Sequence, residues 1–299
     1  LIPNYDDNVD LEQVTRSKLS DDIEYSSEWI IEAPHRSEPG LGTDFEFTAT
    51  EAMGNDTIVA GYYSVNSTLG DWNITDNGTG YESGFVGVLN QTGSWQWVAT
   101  TGSSGTARIH ATTPDGQGGI FVAGWALGTV DFGSQQTYQY GNRDAFVAHL
   151  NSTGHWQWVN RASNNNWGEV NDIAVMSDGG VAVAGTFAGN MWFVRDDFTQ
   201  GHAITSNSAR SDGFVARINA SGGAEWWSKM GFTGAYEDKA QAIIVDEMDN
   251  IFVAGQCMYD FDYHRSDFVE RTEQENIKYC GYINEWRGSA FVMRLTSSN

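Results

Sequence analysis

Lysine is scarce in this chain. It occurs only at Lys18, Lys229, Lys239 and Lys278, and Lys and Arg together number 16 against 39 Asp and Glu, a formal net charge of −23. A surface of that sign repels nucleic acid and anionic membranes and attracts cations, so nucleic-acid binding is the first function rejected. Long apolar runs are missing too. None approaches the ~20 residues of a spanning helix, and no membrane insertion is expected. The mark of a catalyst is also lacking: there is no Gly-x-Ser-x-Gly elbow, no His-Glu-x-x-His and no phosphate-cradling glycine loop. The histidines (His35, His110, His149, His155, His202 and His264) are dispersed, and His149 and His155 read as ordinary exposed side chains flanking a turn. Glycoside hydrolysis needs two carboxyls about 5–10 Å apart, and the sequence singles out no such pair. The chain is expected not to be an enzyme.

Cysteine is limited to Cys257 and Cys280, within one segment. An even count fits an oxidising compartment, and these two are expected to form a disulfide. The chain begins at Leu1 rather than Met, which is read as processing, with a secretion signal removed. Asn-x-Ser/Thr sequons at Asn55, Asn66, Asn73, Asn77, Asn90, Asn151 and Asn219 are the glycosylation candidates of a secreted or cell-surface protein.

What the chain has in quantity is repetition. DAFVAHLNSTGHWQW (Asp144 to Trp158) reads as two strands joined by a tight Asn-x-x-Gly turn. The pattern returns at Ser83 to Trp97 and at Asp212 to Trp227. Its first half recurs at Ser289 to Thr296 and its second half at Ser27 to Ala33. A strand ending in Val-Ala-Gly closes at Gly61, Gly124, Gly185 and Gly255. Hairpin residues precede each of these strands, and an Ile/Val-rich strand precedes the hairpin. Residues 1–27 stand outside the repeat as an acidic arm, docked on this domain or on a neighbouring copy. Residues 28–299 read as one domain, with repeats at about 28–90, 91–151, 152–219 and 220–296.

Four units of four strands predict an all-β fold, a four-bladed β-propeller of antiparallel blades. The repeat resembles the bacterial and archaeal β-propeller repeat family whose units read Asp-x-Phe-Val-Ala-Lys-Leu, a turn, Trp, and later Val-x-Val-x-Gly. The chain departs from it at Ser83 and Ser289, where the family has Asp, and in a long insertion, Gln256 to Gly288. The resemblance implies a secreted or surface protein. Because the Phe-Val strand and the Trp-rich strand after it form a hairpin, the fourth unit lacks its last strand, and Glu28 to Pro34 is expected to close the blade beside Phe291. A second Phe-Val, in SDFVERT of the insertion, is read as a decoy.

Asp260, Asp262 and Asp267, with His264 nearby, could converge on a cation, and calcium suits carboxylates in an acidic extracellular protein. Repeat-locked tryptophans (Trp95, Trp97, Trp156, Trp158, Trp226, Trp227) are read as core between blades. Trp72, Trp125, Trp167, Trp192 and Trp286 lie outside the motif and are the candidates for stacking on a glycan. The expected function is a secreted structural or adhesive protein that assembles with copies of itself, through the arm, into a fibre or surface layer. The alternatives are a glycan-binding propeller and a polysaccharide hydrolase or lyase.

Overall fold

The structure is a computed structural model describing residues 18–20, 23–24, 29–31, 45–75, 81–102, 105–137, 142–194, 203–206, 210–230, 237–257, 277–278 and 289–295. It is all-β: the described residues contain no helix and form several antiparallel four-stranded sheets. Sheet 1 holds β1 (Phe45–Met53), β2 (Asp56–Tyr63), β3 (Ser83–Leu89) and β4 (Trp95–Thr100), hydrogen-bonded in that order. Sheet 2 repeats this with β5 (Thr106–Pro114), β6 (Ile120–Leu127), β7 (Asp144–Leu150) and β8 (Trp156–Arg161). Sheet 3 has β9 (Trp167–Val175), β10 (Val181–Ala188), β11 (Ser211–Ile218) and β12 (Ala224–Met230). Sheet 4 has β13 (Lys239–Val245), β14 (Ile251–Cys257) and β15 (Ser289–Leu295), with Ile277–Lys278 at its edge.

The repeat is reproduced register by register. Each Val-Ala-Gly glycine stands opposite the phenylalanine of the next strand: Gly61 and Phe85, Gly124 and Phe146, Gly185 and Phe214, Gly255 and Phe291. The last of these pairs bears out Phe291, rather than the Phe-Val of the insertion, as the fourth copy. The hairpin after each of the first three phenylalanines is built by its asparagine. The Asn151 Oδ1 accepts the backbone N–H groups of Thr153 and His155 at 3.1 and 3.0 Å and the Thr153 hydroxyl at 2.9 Å. Gly154 then takes a φ of 76°, which a side chain would resist. Asn90 and Asn219 hold their turns in the same way.

Strand parity decides how sheets stack. In the Val-Ala-Gly strand the first and third residues face the preceding sheet, and the second and fourth face the following one. Ile58 and Ala60 therefore pack with Ile120 and Val122 of sheet 2. Phe121 and Ala123 meet Val181 and Val183 of sheet 3, and Ala182 and Ala184 meet Ile251 and Val253 of sheet 4. Each fully buried Val, Ile or Phe contributes about 1.5–3 kcal/mol, so these three junctions are the main apolar support of the fold.

The short segments carrying Trp72, Phe132 and Phe193 do not join the four-stranded sheets. Trp72–Ile74 pairs with Ser67–Leu69, and Val130–Phe132 with Gln135–Thr137, as separate small hairpins. Asn190–Trp192, just before Phe193, lies in a small three-stranded sheet of its own. The expected closing strand is also placed otherwise. Ile277 and Lys278 pair with Met293 and Val292 at the outer edge of β15, and Trp29–Ile31 is not in a strand. The indole of Trp29 has found a partner elsewhere, donating to the Gln91 carbonyl at 3.0 Å above the sheet 1 turn. The rest of Glu28 to Pro34, like most of the arm 1–27, lies outside the described residues.

Candidate functional site in the cavity between the sheets

The strand that opens each sheet carries one extra residue. The register shifts at Thr48 in β1, His110 in β5, Asn171 in β9 and Gln241 in β13, always beside the position that faces the Val-Ala-Gly glycine. Such a bulge kinks the strand and turns backbone toward the neighbour. A Cβ on Gly61 would stand 1.8 Å from the Glu46 carbonyl oxygen, and one on Gly124 2.0 Å from that of Arg108. The same holds at Gly185 against Glu169 and at Gly255 against Lys239, at 2.2 and 1.9 Å. Only glycine fits opposite the bulge, which explains why this residue recurs in every unit.

Residues of the four opening strands line an open cavity of about 560 Å³. Thr48–Glu51, His110–Thr113, Asn171–Val175 and Ile243–Val245 line it. The bulged side chains tie one sheet to the next. Thr48 donates its hydroxyl to the Ile109 carbonyl, and Asn171 donates its amide to the Ala240 carbonyl at 2.8 Å. His110 hydrogen-bonds the backbone of Val170. In all three cases the acceptor residue lies immediately before the next sheet's bulge.

Two carboxylates face the cavity. Burial raises Glu51 above its ordinary value and the Asp172 charge raises it further, while the Thr113 hydroxyl bond acts against both. Burial also raises Asp172, although the Ile243 and Ile173 N–H groups bond it at 2.8 and 2.9 Å. His110 is lowered, chiefly by burial. Such a pair can share a proton or attract a cation. Among the described residues, however, no three His, Cys, Asp or Glu gather as a metal site.

Beside the bulges runs a ladder of rings and guanidiniums. Arg108 lies 4.1 Å from the Tyr62 ring centre and 5.5 Å from that of Trp125, and Arg143 lies 4.8 Å from Trp125 and 5.1 Å from Trp167. Each cation also has a carboxylate, Glu82 at 2.6 Å and Glu169 at 3.1 Å. Cation–π contacts of this kind are worth about 0.5–2 kcal/mol each and join sheets 1, 2 and 3.

These contacts reassign several sequence candidates. Trp125 is only 8% exposed and has guanidiniums over its ring, so it is a structural element and not a stacking platform. Trp167 is half-buried under Arg143, and Trp192 packs against the core. Among the described candidates, Trp72, at 39%, is the one that remains exposed. Of the repeat-locked tryptophans, Trp227 is buried, whereas Trp97 and Trp158 cap the hairpin glycines Gly154 and Gly222 of the following sheet. His149 is not an ordinary exposed side chain: it stacks on Phe121 at 4.5 Å and pairs with Asp115 at 2.9 Å.

Asp260, Asp262, Asp267, Cys280, Asn77 and Trp286 lie outside the described residues, as does the side chain of Cys257. Sequence reasoning passed over Glu51, Asp172, His110, Arg108 and Arg143. Aligning the four opening strands on their Val-Ala-Gly partners would have found three of them, because Arg108, His110 and Asp172 then share columns with Glu46, Thr48 and Ala49. No helix among the described residues is long and apolar enough to cross a membrane. No family model and no curated protein matches this chain.

Proposed function

We propose that the four sheets are the blades of a four-bladed β-propeller, and that the protein is a secreted structural or adhesive element assembling with copies of itself. The observation that carries this reading is how the polar groups around the cavity are engaged. Thr48, His110 and Asn171 each bond the next sheet, and Arg108 and Arg143 are each held by a carboxylate and rings. The repeat's resemblance to secreted and surface propellers and the charge of −23 support an extracellular setting.

Self-assembly is assigned to the arm 1–27, and calcium to the acidic insertion around Asp260. Electron microscopy of the native material tests the reading: fibres or a lattice are expected, and uniform monomers would refute assembly. Glycan binding is the second reading, favoured by exposed Trp72, and a glycan array compared with Trp72→Ala decides it.

A further inference from the structure

Two sets of hairpins share one turn geometry and differ in the residue that builds it. Between β13 and β14 the builder is Asp246. Its N–H donates to the Asn250 carbonyl at 3.0 Å, and its Oδ1 accepts the Met248 and Asn250 N–H groups, both at 2.9 Å. Asp115, between β5 and β6, holds the Gln117 and Gly119 N–H groups in the same way, at 2.7 and 2.8 Å. Between β7 and β8 the same bonds are made by Asn151, whose N–H donates to the His155 carbonyl at 3.0 Å. The turn therefore asks only for an acceptor oxygen, and a carboxylate supplies it as well as an amide. Yet in a chain with 39 Asp and Glu, the hairpin after the Phe-Val strand of sheets 1 to 3 has Asn each time, at Asn90, Asn151 and Asn219.

Two features accompany the amide and not the turn. Two residues further on stand Thr92, Thr153 and Ser221, all exposed, where the aspartate turns have Gln117 and Met248. These hydroxyls donate to the Oδ1 of their asparagines at 2.7, 2.9 and 3.1 Å. The Nδ2 groups of Asn90 and Asn151 bond nothing among the described residues. By contrast, Asn160 and Asn171 donate theirs to carbonyls of other strands and turns.

We propose that Asn90 and Asn151 carry N-linked glycans on Nδ2, at the same corner of sheets 1 and 2. The inference rests on the extracellular setting proposed above. The donor is a lipid-diphosphate-linked oligosaccharide: its C1–O bond breaks, a C1–Nδ2 bond forms, one amide proton is lost and the lipid diphosphate departs. Oδ1 forms no new bond, so every hydrogen bond of the turn survives the modification. A bulky, hydrated chain at this corner keeps contacts between copies away from the hairpin end of these two sheets.

Peptides of the full chain from its native source test the sites. Treated with peptide N-glycosidase in heavy-oxygen water, each glycosylated asparagine becomes an oxygen-labelled aspartate, and a digest without the enzyme reveals spontaneous deamidation. Enzyme-dependent label at Asn90 and Asn151 is expected. Label confined to Asn55, Asn66 or Asn73 would overturn the inference and leave the extracellular setting standing. Label nowhere, or label that does not need the enzyme, would overturn the inference and leave assembly to be decided by electron microscopy. In unglycosylated protein, Asn151→Asp is expected to leave Tm unchanged, because Asp246 makes the same turn. A clear fall in Tm would overturn the premise that the turn asks only for an acceptor.

Discussion

Arg161 and Asp144 meet at 3.1 Å on adjacent strands, with side chains 5% and 0% exposed. The guanidinium also donates to two carbonyls, those of Gly128 at 2.9 Å and Ala126 at 3.1 Å. Burial pulls the Arg161 value down and Asp144 pulls it back up, so the charge depends on its partner. Sheet 1 solves the same position without charge, placing Thr100 opposite Phe85 as Arg161 stands opposite Phe146, and Ser83 where sheet 2 has Asp144. Asp144→Ser alone is therefore expected to cost about 3–5 kcal/mol, because it strands a buried cation. Adding Arg161→Thr should recover more than half of that loss in a urea titration. A double variant no more stable than the single would show that the pair does not act as a unit.

Gly124→Ala is expected to destabilise by about 1–3 kcal/mol or more, since its Cβ would meet backbone rather than a movable side chain. Gly102→Ala is the control, having nothing nearer than the Asp131 Cβ at 3.7 Å. Equal losses in the two variants would mean that the bulge does not dictate the glycine.

The cavity pair makes stability depend on pH with a definite sign. A carboxyl raised by folding holds its proton longer in the folded chain, so its favourable contribution is present at low pH and fades as pH climbs through the folded value. Glu51 and Asp172 thus weaken the fold from the upper carboxylate range toward neutrality. Glu51→Gln should raise Tm at neutral pH by roughly 1–3 °C, with the gain vanishing in acid. Asp115 has the opposite sign. Although burial opposes it, the His149 contact and the Gln117 and Gly119 N–H groups hold it below its ordinary value. Its contribution is present above the ordinary carboxylate range and lost as pH falls through the folded value. Asp115→Asn should accordingly lower Tm at neutral pH and make no difference in strong acid.

Trp29 caps Gly93 of the sheet 1 turn as Trp97 caps Gly154 and Trp158 caps Gly222. Trp158 repeats its hydrogen bond as well, donating to the Ala220 carbonyl at 3.0 Å. Trp29→Ala is expected to expose the N-terminal segment to limited proteolysis at least several-fold faster while the core transition barely moves. Unchanged cleavage would show that the indole does not anchor the segment.

The strand order and the fourth phenylalanine were legible because a period of about one sheet preserves parity, and parity fixes which side of each strand is apolar. The bulges were not legible. Thr48, His110, Asn171 and Gln241 share no side-chain type, only a donor at one backbone position, and a letter-by-letter comparison does not weigh that. Trp29 shows the converse. Kinship with Trp97 assigned it a strand, whereas what the two tryptophans share in the structure is a ring seated on a glycine turn. A ring seat needs one contact and a strand needs a free edge, and at β15 that edge is taken by Ile277–Lys278.

The parity of the Val-Ala-Gly strand has a consequence for how such a chain changes over generations. Every sheet offers the same kind of leading face and accepts the same kind of trailing face, so sheets are interchangeable as packing partners. Duplication or loss of a whole unit, cut at hairpins such as the one at Asn151, leaves no mismatched surface behind. A deletion of a single strand inverts the faces of everything after it. The unit of inheritance in this architecture is therefore the complete sheet.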